Sequence, residues 1–202
     1  MAYPITGVFL AGGQNRRFPS LKAFITVGGD TILRRSIDIL TGCFDEVFIS
    51  TNMPEVYFSY GRPMIGDVVD SRGPITGILS CLLCASNENV LVVACDMPFL
   101  KKEVVELVAS GVGEGFDAVV PIFGGRLQPL LAVYNRTIVP RLQSMIGNNE
   151  KSLSFMLPSL HVKYVEEDIV RCKDAEGLSF VNVNTPYDLE LINGVNVSRV
   201  NV

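Results

Sequence analysis

Histidine occurs once in this 202-residue chain, as His161 in "PSLHVKYV". Mechanisms that rest on a histidine cluster therefore have no material, and His161 reads most simply as a strand-edge residue. Long apolar runs are also missing. None reaches the roughly 18 uncharged residues of a spanning helix, and Met1 to Gly7 lacks the basic start and long apolar stretch of a signal peptide. The expectation is a cytoplasmic protein with no membrane partner. A basic excess is lacking too: a formal net charge of −4 argues against a nucleic-acid binder, which usually carries a basic face.

Five cysteines, Cys43, Cys81, Cys84, Cys95 and Cys172, are odd in number and scattered, which fits buried reduced thiols better than a disulfide framework. Cys81 and Cys84 form a C-x-x-C inside "GILSCLLCAS", which reads as a buried helix. No second cysteine pair or nearby histidine completes a zinc site, so packing is the expected role. Linkers, repeats and low-complexity tracts are absent. With 48% hydrophobic residues the chain can bury one substantial core. A single domain over residues 1–194 is expected, with residues 195–202 as a polar C-terminal tail.

Short apolar segments alternate with amphipathic ones. Strands are predicted at Ile5 to Leu10, Glu46 to Ser50, Val90 to Cys95, Ala118 to Ile122, Pro129 to Tyr134, Val162 to Val165 and Ser179 to Val183. Helices are predicted at Thr31 to Leu40, Pro74 to Ala85, Lys102 to Ser110, Val139 to Met145 and Pro186 to Ile192, the last with Thr185 as N-cap. Several strands are continuously apolar, as in parallel strands covered on both faces. The pattern specifies an α/β fold with a mainly parallel sheet and right-handed crossovers. The faces Ile37, Leu40 and Val104, Val105, Leu107, Val108 read as core, and the charges Lys101, Lys102 and Glu166 to Asp168 as solvated surface.

Charge is local rather than global. Arg16, Arg17, Lys22, Arg34 and Arg35 fall in the first 35 residues against one acid, Asp30, and three of them lie in "FLAGGQNRRFPSLKAF". This is not a P-loop, since no glycine-lysine pair stands near Lys22, and "AGGQNRRF" lacks the G-x-G-x-x-G spacing. Two adjacent glycines after a strand still allow main-chain groups to approach a base or a phosphate closely. The arginines and lysine that follow can neutralise phosphate charge. The bland alternative is a tight turn with a solvated basic loop.

In an open parallel sheet ligands sit at the carboxyl edge. The Gly12-Gly13 loop follows the first strand, Asp96 follows "VLVVAC" and Asn184 follows "FVNV", while Asp67, after "PMIG", makes a fourth polar loop on the same edge. A hard carboxylate at Asp96 suits Mg²⁺, which binds through one or two carboxylates plus substrate phosphates. The competing role for Asp96 is the N-cap of a helix beginning near Pro98.

Taken together, "LAGGQNRRFPSLK", "GDVVDSRGPITG", "CDMP" and "FVNVNTPYDLE" closely resemble the molybdenum cofactor guanylyltransferases. The resemblance spans Leu10 to Glu190 and implies a single-domain Rossmann-like nucleotide-diphospho-sugar transferase fold, with helices on both faces of a mainly parallel twisted sheet. It implies an Mg²⁺-dependent nucleotidyltransferase that takes GTP and the molybdopterin cofactor to the guanine dinucleotide and pyrophosphate. The substrate's own terminal phosphate would be the nucleophile, which removes the need for a serine, cysteine or histidine.

By the same resemblance Leu10, Ala11, Gly12 and Gly13 bind the guanine nucleotide through their backbone. Lys22 contacts phosphate, with Arg16 and Arg17 assisting on the triphosphate, and Arg17 joins Lys22 and Asp96 in the catalytic set. Asp96 matches the magnesium ligand and also belongs to the nucleotide site, as does Asp67. Asn182 and Asn184 match residues on the acceptor side, and Ser50 and Asn52 are further nucleotide-site candidates. The resemblance leaves room for transient contact with cofactor-delivery or molybdoenzyme proteins.

Phe18, Pro19 and Leu21 depart from the family's R-M-G-x-x-K pattern with its aspartate before the lysine. Gly12, in place of the alanine of the cytidylyl relatives, favours GTP over CTP. Two other readings share the loop: transfer to another phosphorylated acceptor such as a sugar phosphate, and a non-catalytic GTP-binding partner protein.

Overall fold

A computed structural model describes residues 3–11, 21–70, 73–184 and 188. "ITGVFL" forms strand β1 (Ile5–Leu10), every residue of it buried. Its side chains alternate between two cores, Ile5 and Phe9 on one side and Val8 and Leu10 on the other, as the two-residue period of a strand requires. A two-residue hairpin, β2 (Thr26–Val27) and β3 (Asp30–Thr31), follows. It turns through Gly28 and Gly29 at φ 63° and 93°, angles that glycine adopts without strain. Helix α1 (Ile32–Thr41) starts where Thr31 Oγ1 accepts the Arg34 amide at 3.2 Å, and it packs Leu33, Ile37 and Leu40 inward.

Strand β4 (Glu46–Ser50), the short helix α2 (Pro54–Tyr57) and strand β5 (Met64–Ile65) come next. Helix α3 (Pro74–Cys84) is buried from Ile75 to Leu82, so its sequence is apolar all round rather than on one stripe. Then follow β6 (Asn89–Ala94), α4 (Lys102–Ala109), β7 (Ala118–Phe123), β8 (Arg126–Leu127), β9 (Leu131–Asn135), α5 (Val139–Gly147), α6 (Leu153–Met156), β10 (Val162–Val165) and α7 (Glu167–Arg171).

The sheet runs β10-β7-β9-β6-β1-β4-β5, with β8 hooked onto β7. Pairings from β6 to β5 are parallel; β9 is antiparallel to both neighbours, and β10 returns parallel to β7. Residues of α1 and α4 build the core on one face, and those of α3 and α5 the core on the other. This is the expected mainly parallel α/β sheet with helices on both faces. Among the described residues no helix is long and apolar enough to cross a membrane.

Three expectations need correction. Ser179 to Val183 is not a strand: the chain makes a 3-10 turn at Leu178–Phe180 and then runs extended outside the sheet. Its amides are taken outside the ladder, Ser179 N donating to Asp174 Oδ2 at 2.8 Å and Val183 N to Asp96 O at 2.9 Å. Lys101, read as solvated, pairs through Nζ with the fully buried Asp174 carboxylate at 2.7 Å. Leu107 is only half-buried, whereas the rest of its predicted core face on α4 is fully enclosed. The predicted helix from Pro186 and the tail over 195–202 lie outside the described residues, apart from the helical Asp188.

Candidate nucleotide site at the carboxyl edge of the sheet

Strand register decides which residues meet. Leu10 pairs with Ser50 on one side and Ala94 on the other, and Ser50 pairs with Ile65, so four strands end side by side. The ladder continues one step further through Ala11 N to Ser50 O and Thr51 N to Ile65 O, both 2.9 Å. Every segment leaving this edge carries a candidate residue: Ala11, Asn52, Asp67 and Asp96.

Asp96 lies just past β6 in "ACDMP", and the helix after it begins only at Lys102 with Lys101 as its N-cap residue. Asp96 therefore caps no helix, and its carboxylate is free for chemistry. Oδ2 is 3.5 Å from Lys22 Nζ, and both side chains are largely enclosed. Oδ1 is buried without a hydrogen-bond partner among the described residues. Burial raises the Asp96 carboxyl above the usual aspartate value, and the Lys22 charge and hydrogen bond only partly offset this. A buried anionic oxygen without a donor is the environment in which a bound cation gains most.

Lys22 stands at the start of a 3-10 turn, Lys22–Phe24, whose Ala23 is anchored in the core. Besides Asp96 it reaches Asn184, donating from Nζ to Oδ1 at 2.9 Å. The chain is drawn in there by Val183 N, which donates to Asp96 O at 2.9 Å, and Asn184 N donates to Asp188 Oδ2 at 2.8 Å. Lys22, Asp96 and Asn184 thus form one cluster. Asn182 is exposed on the same segment.

Asp67 makes a second cluster with Asn52. Asn52 Nδ2 donates to Asp67 Oδ2 at 2.6 Å, and Asp67 N donates to Asn52 Oδ1 at 2.8 Å. The next residue is fixed by the buried Ser80, whose Oγ accepts from Val68 N at 3.0 Å while donating to Thr76 O at 2.8 Å. Ser50 is buried and faces α3 closely enough that a Cβ on Gly77 would stand 2.7 Å from its Oγ, so its role is packing between strand and helix. Gly12, Gly13, Arg16 and Arg17 lie outside the described residues.

No thiol competes as a nucleophile at this edge. Burial, then the neighbouring Asp96, pushes Cys95 up to about 12, so it holds its proton at neutral pH. Cys81 is fully buried and pushed to about 12 by burial as well, as a packing role requires, but Cys84 and Cys172 are exposed, against the expectation of buried thiols. His161 stands at the opposite edge of the sheet, just before β10, where its ring Nδ1 meets Gly115 O.

Sequence reasoning missed Lys101, Asp174, Ser179 and Ser80. The turn-forming "KDAEGLS" hints at Asp174 and Ser179, since an aspartate before a glycine turn readily binds nearby amides through its side chain, and nothing in the sequence points to Lys101 or Ser80.

Residues 7–162 match the family described as MobA-like NTP transferase domain. The chain is 36% identical over 184 residues to a probable molybdenum cofactor guanylyltransferase of Pelotomaculum thermopropionicum, covering 91% of this chain and 89% of the relative. It is 33% identical over 187 residues to the molybdenum cofactor guanylyltransferase of Desulfosudis oleivorans, covering 92% and 93%. The crystal structure of molybdopterin-guanine dinucleotide biosynthesis protein A from Archaeoglobus fulgidus superposes with a TM-score of 0.84 at 26% identity, covering 96% of this chain and 99% of that one.

Proposed function

Because the chain belongs to the MobA-like NTP transferase family, we propose that it transfers GMP from GTP to the terminal phosphate of the molybdopterin cofactor, releasing pyrophosphate. The observation that carries this reading is the Lys22–Asp96–Asn184 cluster, which joins a cation, an anion and a neutral amide at the edge where four strands end. Asp67 and Asn52, locked together past the ends of β5 and β4, offer the same crevice a polar wall. Residues 1–194 form the catalytic unit, and the protein works in the cytoplasm.

The chemistry asks little of the protein beyond positioning and charge, because a phosphate attacks a phosphate. Leu10 to Gly13 bring backbone groups to the guanine nucleotide. Lys22 neutralises phosphate charge as a compact cation and holds the amide of Asn184 toward the acceptor side. Arg17 and Arg16 belong to the same basic segment and meet the triphosphate. Asn182 and Asn184 receive the acceptor.

Asp96 is the residue that would hold Mg²⁺. One hard carboxylate with a buried, unpartnered oxygen suits an ion that keeps its waters and takes its remaining ligands from phosphate. When bound there, Mg²⁺ supplies Lewis-acid stabilisation of the charge that builds on the reacting phosphates.

Calorimetry with GTP, CTP and ATP, followed by a pyrophosphate-release assay with GTP and loaded cofactor, tests the assignment. GTP-selective binding and release are expected. Turnover with a sugar phosphate alone would replace the acceptor, and binding without any turnover would reduce the protein to a GTP-binding partner.

A pH profile checks the site from another side. The Asp96 carboxyl is raised, so the folded chain holds this proton more tightly than the unfolded chain does. Its ionisation therefore opposes folding at neutral pH, and that penalty is relieved as pH falls through the folded-state value. Activity moves the other way, since a protonated Asp96 neither pairs with Lys22 nor serves a cation. The acid limb of kcat/KM is expected above the usual aspartate range, and a limb at or below pH 4 would contradict it.

A further inference from the structure

The segment from Asp174 to Asn184 lies beyond the stretch matched by the family, has no place in the sheet, and yet delivers Asn184 to Lys22. Its anchorage is unusual. Asp174 is fully buried, and its Oδ1 is 2.7 Å from Nζ of Lys101, the residue that ends the loop begun by Asp96. Asp174 Oδ2 accepts from Ser179 N at 2.8 Å, and Ser179 Oγ accepts from Lys101 N at 3.1 Å. Three groups therefore close a ring between the Asp96 loop and the segment that carries the two asparagines. Burial works to raise the Asp174 carboxyl, and the hydrogen bonds from Lys101 and Ser179 overcome it and hold it below its ordinary value.

A second anchor grips the other side. Phe180 stacks on Phe123 with centroids 5.1 Å apart, and the Arg171 guanidinium covers the Phe123 ring at 4.5 Å. Arg171 also donates to Ala175 O at 2.7 Å. A buried ion pair is a poor source of net stability, because desolvation consumes most of the attraction, but it selects one arrangement over its neighbours. The arrangement selected here is the one in which Val183 N reaches Asp96 O.

We propose that Asp174 is a positioning residue: its buried ring with Lys101 and Ser179 straps the 174–184 segment to the Asp96 loop and so sets where Asn182 and Asn184 meet the phosphorylated acceptor. The inference rests on the acceptor role given to those asparagines above.

Two readouts on the full chain separate this role from simple stabilisation. Hydrogen exchange at the Val183 amide, followed by NMR, should quicken about tenfold or more in Asp174→Asn while amides of β1 and β6 keep their protection. Ser179→Ala, which spares the ion pair, should show a smaller change with the same pattern and serves if Asp174→Asn folds poorly. Lys101→Ala should quicken the same amide, whereas Lys101→Arg, which retains the charge, should keep exchange near the wild-type rate. In turnover, Asp174→Asn should raise KM for the acceptor on the order of tenfold while KM for GTP stays within about twofold. Unchanged Val183 exchange, or a uniform rise across the sheet, would overturn the proposal. Absence of transfer by the wild type would sink the guanylyltransferase reading instead, and the exchange data would still judge the strap.

Discussion

Asp96→Asn is expected to lower kcat for GMP transfer by about a thousandfold, ~4 kcal/mol of transition-state stabilisation, and to leave the thermal midpoint unchanged or higher. Both halves follow from one environment. The carboxylate is enclosed, one of its oxygens lacks a donor, and burial raises its pKa despite the lysine beside it. Its charge is therefore a burden on the fold, which the proposed phosphate chemistry accounts for. An amide of the same shape removes that burden and the function together. Steady-state kinetics with a pyrophosphate readout, beside calorimetric unfolding of both proteins, checks the pair of effects. A variant that lost several degrees of stability together with its activity would make Asp96 a structural residue.

Gly177→Ala is expected to destabilise the protein by about 3 kcal/mol, lowering the midpoint by roughly 6–12 °C in a chain of this size. Gly177 has φ 68°, and a Cβ built there would stand 2.0 Å from Phe123 Cε1. The ring cannot retreat easily, because Phe180 stacks on it and Arg171 covers it. Positive φ adds to the cost, since an L side chain adopts it only under strain. Trimming the obstacle should help: Phe123→Leu added to Gly177→Ala should recover part of the loss, a coupling that a double-mutant cycle measures. A change within about 0.5 kcal/mol for the single variant would show that the turn relaxes freely.

The parts of the fold legible in the sequence are those that periodicity controls. "ITGVFL", "EVFIS" and "NVLVVA" are apolar on both faces because helices cover both sides of the sheet, and each forms a parallel strand. The edge rule places Asp67 and Asp96 on one edge of the sheet, and the strand register agrees. What stayed hidden is controlled by long-range side-chain contacts. "SFVNV" has a strand's composition, but Asp174 and Lys101 capture the chain first, and the backbone never enters the ladder. Lys101 sits beside Lys102 in a pair that looks solvated, and only the fold reveals that one of them is reserved for a buried acid. Strands as short as β2, β5 and β8 leave too few residues for any period to register.

Lys22 meets a partner 74 positions away in Asp96 and another 162 positions away in Asn184. The span to Asn184 is almost twice the 84 residues that separate paired positions of β1 and β6, so it carries the larger loop-closure cost. Once β1, β4, β5 and β6 are assembled, four strand ends are aligned, yet Asn184, on a segment outside the sheet, must still reach Lys22. The cluster thus joins parts of the sequence 162 positions apart, so its geometry reports whether the C-terminal segment is in place.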